Sequence, residues 1–235
     1  KRINYRDADS VQLDTVTAGG VFAGDISGIN VGKTAGSTIR LRSGGDISQT
    51  STSPVIADQF GIEATGNIDL CPAANDVNSL AASAGGTFVF NDINTFSIAN
   101  TVTAGGTLSA DLTGLSASDI ELVSDGNLVV DSEINITGKV ILISKNGSVT
   151  QTAKISATQL AVQAKTFVDL STQINNVDEF AATADQYVRY RDADSVAISS
   201  ILGDVDCQKL HLKAPCHENE QRRLTAGRRV GHQQV

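Results

Sequence analysis

The sequence predicts an all-β chain, a parallel β-helix (a β-solenoid) with about 20 residues per coil, on three observations. The first is a returning glycine: Gly45, Gly66, Gly86, Gly106, Gly126 and Gly147 stand 20 or 21 residues apart, and Thr166 and Gln186 continue the beat. An even period in this range marks a chain wound into stacked coils. The second is the company the beat keeps. At six and four residues before it and two and four after it, 29 of 32 positions are apolar, where the chain's overall 40% would give about 13. The third is alternation, as in Ile120-Glu121-Leu122, which is the period of a strand with one face buried.

Taken along the chain, each beat reads as strand, corner, strand. The column six before the beat runs Ile39, Phe60, Leu80, Asn100, Ile120, Ile141, Leu160 and Phe180. Four before it run Leu41, Ile62, Ala82, Val102, Leu122, Ile143, Val162 and Ala182. Two after it come Ile47, Ile68, Phe88, Leu108, Leu128, Val149, Val168 and Val188, and four after it Gln49, Leu70, Phe90, Ala110, Val130, Gln151, Leu170 and Tyr190. Glycine at the corner is expected to supply a positive φ. A looser apolar group lies eight to twelve residues after five of the eight beats (Val55, Phe96 and Ile98, Ile134 and Ile136, Ile155, Val196 and Ile198), which predicts a third strand per coil.

A longer repeat overlies the short one. Tyr5 to Val11 recurs as Tyr190 to Val196, 185 residues on, while Asn75 to Ala82 is echoed by Asn175 to Ala182 and Ala57 to Phe60 by Ala157 to Leu160, both 100 residues on. The common offset of 100 predicts a duplicated unit of five coils with register kept, since a slip of one residue turns every apolar side chain outward. Residues 1–203 therefore form the repeat region. Residues 204–235 are a basic, non-repeating tail, in which the columns stop and residue types rare in the body arrive together; this change of text predicts a disordered extension or a product of a shifted reading frame. The chain contains no Met and opens on a strand-like segment, which predicts a piece of a longer protein.

Charge separates the same two parts. Residues 1–206 carry 24 acidic against 12 basic side chains, and residues 207–235 carry six basic against two acidic. The acidic body argues against a nucleic-acid partner. No apolar run approaches the ~20 residues of a membrane-spanning helix.

Chemistry-bearing residues are sparse. Cys207, His211, Cys216 and His217 offer four zinc-ligand types, but their spacing matches no familiar structural site. Cys71 is expected to be an unpaired, passive thiol. Asp7 with Asp9 and Asp192 with Asp194 have the oxygen chemistry of a Ca²⁺ site, against which stands the simpler reading of a solvated strand end. A polysaccharide lyase or hydrolase needs carboxylates brought together by neighbouring coils. The outward candidates Glu63, Asp69, Glu121 and Asp169 do not fall in adjacent positions: Asp69 should neighbour Val89, and Glu121 should neighbour Leu142. All three histidines lie in the tail. We therefore expect no catalytic residues, no metal and no cofactor.

Thr15-Val16-Thr17-Ala18-Gly19-Gly20, Thr101 to Gly106, Val149-Thr150-Gln151-Thr152 and Asn75 to Ala82 resemble the repeats of large bacterial filamentous-haemagglutinin-like exoproteins, over residues 1 to about 201. The resemblance implies a right-handed β-helix, secretion or display at the outer cell surface, and adhesion to cells, matrix or polysaccharide. Exposed end coils predict end-to-end self-association. The alternatives are a fragment of a β-helical carbohydrate-active enzyme and a non-functional gene remnant.

Overall fold

A computed structural model describes residues 1–19, 24–99, 101–103 and 110–201. Among them every regular element is a strand, and all but one pair of strands run parallel in a single 19-stranded sheet. One column of hydrogen-bonded neighbours runs the length of the stack through Val11, Ile47, Ile68, Phe88, Ile120, Val140, Leu160, Phe180 and Ile198. Nine stations make about eight turns, and all but two of the intervals lie close to 20 residues. The chain is a parallel β-solenoid.

The inward side chains fill the lumen. Ile39, Phe60, Leu80, Ile98 and Val130 form a second stacked column, and one cluster of buried apolar residues runs from Leu13 to Phe180. At its centre Phe90 touches Phe60, Phe88 and Phe96, the last edge-on at 5.4 Å between ring centroids. Equivalent positions stack at about the strand spacing, so coils bury one another's apolar surface and none is stable alone.

Two intervals are long, and both result from excursions. Between Val11 and Ile47 the chain makes a small antiparallel pair, Thr15–Val16 with Ile26–Ser27. Between Phe88 and Ile120 it leaves the stack after Ile98 and returns at Leu115. Ile98 pairs with Leu80, whereas Leu115 pairs with Ala82, on the same strand only two residues further on. The returning chain closes on itself through the mutual Val102 and Leu112 backbone bonds, 2.7 and 3.0 Å.

That excursion straps the outer face of the solenoid and is latched by Arg40. Arg40 lies between the inward residues Ile39 and Leu41, points outward, and is nonetheless fully buried. Its guanidinium donates to the carbonyls of Val102 (2.9 Å) and Ala110 (3.3 Å) and to Glu63 (2.5 Å). The side chain crosses Gly61, where a Cβ would stand 2.4 Å from Arg40 Cδ. Val102 thus belongs to a satellite cluster with Ala81, Ala99 and Leu112, and Ala110 to the strap, not to the stacked columns expected for them. Asn100, Gly106 and Leu108 lie outside the described residues.

The strap also shifts the phase of the repeat. Phe88 stacks on Ile120, 32 residues on, and Phe96 stacks on Leu128. The expected column from Phe88 to Leu128 is therefore broken: Gly126 donates its N–H to Asn94, and Ser118 donates to Gly86. A second correction concerns one coil only. The 21-residue step from Gly126 to Gly147 carries the count one residue too far, so Val140 and Leu142 face the lumen while Ile141 and Ile143 face outward. The corner glycines also differ from expectation, since positive φ occurs at Gly28, Gly32, Gly36 and Gly114 and at none of the described beat positions. What the beat glycine provides is room. A Cβ on Gly66 would lie 2.0 Å from Asp46 Oδ1, and one on Gly86 2.1 Å from Asn67 Oδ1, and these oxygens accept the N–H groups of Asn67 and Thr87.

The two copies of the 100-residue repeat keep their local chemistry but not their direction. Phe60 and Leu80 belong to the column that continues through Ile98 and Val130; Leu160 and Phe180 belong to the one that passes through Phe88 and Ile120. Register by whole coils is therefore not preserved. Within each copy an asparagine ties three coils. Asn75 accepts from Gln49 (2.7 Å) and from the Val55 N–H (2.9 Å) and donates to the carbonyls of Leu70 and Asn91. Asn175 does the same with Gln151, Ile155, Leu170 and Arg191. Gln49 and Gln151, the polar exceptions in an apolar column, are thus buried with their bonds satisfied.

Candidate functional site

The described residue whose chemistry is least accounted for by the fold is Glu121. It lies on the strand Ile120–Ser124, between Phe88–Asp92 and Lys139–Ser144. Since Ile120 and Leu122 fill the lumen, alternation turns Glu121 and Val123 outward, beside Val89 and Asn91 on one side and Ile141 and Ile143 on the other. This outer flank is closed to water: Glu121 is 2% exposed, Val89 3% and Val123 0%. Val123, Ile141 and Ile143 form an apolar cluster separate from the lumen.

Thr87, Val89, Asp119, Lys139 and Ile141 surround a recess at Glu121. Both carboxyl oxygens are buried without a hydrogen-bond partner. Burial pushes the carboxyl up to about 7, opposed by the charge of Lys139 and assisted by that of Asp69. Asp69 neighbours Val89, as expected, and Val89 neighbours Glu121, so the two carboxylates share a column two strands apart, roughly 10 Å. The expected neighbour of Glu121, Leu142, faces the lumen, and Ile141 takes its place.

The other sequence candidates have structural occupations. Glu63 pairs with Arg40, and Arg42 lies 3.8 Å from its second oxygen. Asp169 accepts from Ser171 and faces Arg189 at 3.5 Å, and Ser171 with Arg189 holds its carboxyl below the usual range. Asp7 and Asp192 each accept the N–H two residues on and the hydroxyl of a tyrosine, Tyr5 or Tyr190. The Asp-x-Asp pairs therefore build turns. Cys71 is disulfide-bonded, which corrects the expectation of an unpaired thiol. Cys207, His211, Cys216 and His217, whose spacing argued against a zinc site, lie outside the described residues.

Asp92 was not legible beforehand. It is fully buried and accepts the N–H groups of Val77 and Asn94, each at 2.8 Å; burial outweighs these bonds and pushes its carboxyl up to about 7. Its counterpart at offset 100, Asp192, bonds Val177 and Asp194 in the same way, and that echo was available in the sequence.

The fold thus defines the class, a β-solenoid with a filled lumen and one enclosed, acid-bearing outer flank. No family model, no curated protein and no solved structure matches the chain.

Proposed function

We propose that the chain is part of a secreted or surface-displayed bacterial adhesin, in which the solenoid serves as a stiff stalk and contact surface for cells, matrix or polysaccharide. The observation that carries this reading is the division of labour between lumen and flank. The lumen is packed solid with apolar side chains. The outward carboxylates Glu63, Asp169, Asp7 and Asp192 are engaged in ion pairs or turns. The shared column of Asp69 and Glu121 is interrupted by Val89. Outside the recess at Glu121, such a body presents surface in place of assembled acid and base groups.

Two further features support it. The disulfide at Cys71 suits an oxidising compartment outside the cytosol. The repeat phrases around Thr101, Asn75 and Val149 resemble those of filamentous-haemagglutinin-like exoproteins.

The test is a paired assay on the full chain. Beads coated with the protein are expected to bind cultured cells or immobilised acidic and neutral polysaccharides saturably, with no new reducing or unsaturated sugar ends appearing over a day. Release of such ends would replace the adhesin reading with that of a carbohydrate-active enzyme, and absence of saturable binding would remove the contact surface.

A further inference from the structure

We propose that the outward rings of Phe167 and Tyr187, with Asp169 and Arg189 beside them, form a binding site for neutral oligosaccharides. The proposal rests on the contact-surface reading above and places that contact on one patch of the outer face. Val168 and Leu170 fill the lumen, so alternation turns Phe167 and Asp169 outward, and the parallel register sets Tyr187 on Phe167 and Arg189 on Asp169. The two rings lie nearly parallel, with 13° between their planes and 4.9 Å between their centroids. Arg189 holds its guanidinium carbon 4.5 Å from the centre of the Tyr187 ring and one of its nitrogens 3.5 Å from Asp169.

The fold does not require rings here. Phe60, Phe88, Phe90, Phe96 and Phe180 all serve the lumen. At the offset of 100 the first copy carries Asn67 and Thr87 in place of Phe167 and Tyr187, and Val89 in place of Arg189. Both copies close this corner with the same backbone bond, from the Gly86 N–H to the Gly66 carbonyl (3.1 Å) and from the Gln186 N–H to the Thr166 carbonyl (2.8 Å). The first copy adds a bond from the Thr87 N–H to Asn67 Oδ1 (2.9 Å). In the second copy two rings and a cation replace that side-chain bond, beside a carboxylate that both copies keep as Asp69 and Asp169.

This combination has the chemistry of sugar recognition. The electron-rich faces of aromatic rings attract the polarised C–H groups of a pyranose, while a carboxylate accepts from its hydroxyls and a guanidinium donates to them. Asp169 is fit to accept, because the Ser171 hydroxyl at 2.6 Å helps to hold its carboxyl below the usual range and so ionised. Arg189 is 63% exposed and has more N–H donors than its contact with Asp169 can use. Charge selects a neutral ligand. Asp169 offsets Arg189 on the patch, and Asp185 offsets Lys165 at the corner just before it, 2.7 Å away. Residues 1–206, at net −12, repel polyanions.

The test passes the full chain over immobilised neutral glucan, mannan and galactan oligosaccharides, with heparin and alginate as polyanionic controls, and reads binding by surface plasmon resonance. Saturable binding to at least one neutral oligosaccharide is expected, little changed by salt, and about tenfold weaker in Tyr187→Ser and in Arg189→Gln. Both variants should keep the β circular-dichroism spectrum. If Tyr187→Ser loses it, Arg189→Gln, at an exposed side chain, carries the comparison. Neutral-sugar binding unchanged in the folded variants, or binding confined to the polyanions, would overturn the inference. Cell binding without any neutral-sugar binding would also overturn it while leaving the adhesin reading in place, and absence of both would remove the two together.

Discussion

Replacing Glu121 by Gln should change the pH dependence of stability in a direction fixed by the burial of the side chain. An unfolded glutamate titrates near 4.3, whereas Glu121 in the folded chain is raised to about 7. Below about pH 4.3 both states hold the proton, and the group contributes no pH dependence. Between about 4.3 and 7 the folded state keeps a proton that the unfolded state releases, so stability falls as pH rises through that window and levels off above it. At about 1.4 kcal/mol per unit, the full penalty at pH 8 is roughly 3–4 kcal/mol. Gln is isosteric and uncharged and leaves its polar atoms in the same surroundings as the protonated acid. The variant should therefore match wild type near pH 4 and exceed it by about 2–4 kcal/mol at pH 8. Urea denaturation followed by circular dichroism at unit steps from pH 4 to 8 measures the difference. Asp92, raised to about 7 by the same cause, slopes both proteins alike and cancels in the comparison. A difference that does not grow with pH would refute the account of Glu121 as a buried, unpartnered acid.

The remaining expectations concern the fold. Asn75→Ala strands the Val55 N–H, the Leu70 carbonyl and the Gln49 amide in a dry interior and should cost about 3–5 kcal/mol. Asn175→Ala should cost a similar amount, since its bonds are the same, and urea melts of the two variants check both. Arg40→Met leaves the carbonyls of Val102 and Ala110 and the Glu63 carboxylate without their donor. It should lower stability by about 3–5 kcal/mol and speed hydrogen exchange at the Val102 and Leu112 amides, whereas unchanged exchange would show that the strap holds without its latch. Phe90→Ala empties the meeting point of three other rings and should cost about 3–5 kcal/mol in thermal and chemical melts.

Much of the fold was legible because stacking imposes the same demand on every coil. Ile39, Phe60 and Leu80 do form a column, and so do Ile47, Ile68 and Phe88. Counting residues failed where the physical register and the numerical one part. The strap adds residues that no strand consumes, so Gly126 meets Asn94 while the count continues undisturbed. At Ile141 and Ile143 an apolar outer flank removes the contrast between faces on which an alternation argument depends. The site was less legible still. Glu121 reads as one outward acid among several, and its apolar neighbours Val89 and Ile141 are set by a register that the strap and the 21-residue step both displace. The burial of Arg40 likewise comes from a distant segment folding over it.

The strap carries one more consequence. In a wound chain, the length of an insertion modulo the coil acts as an angle. The 32-residue passage from Phe88 to Ile120 rotates everything that follows, so that the long strand of the first copy, Val55–Ala64, and that of the second, Ile155–Ala164, align their central residues with different columns. A surface patch duplicated with the repeat is thereby aimed in a second compass direction instead of being laid in line with the first. Lengthening or trimming one loop is enough to re-aim half of such a rod without altering a single stacked residue.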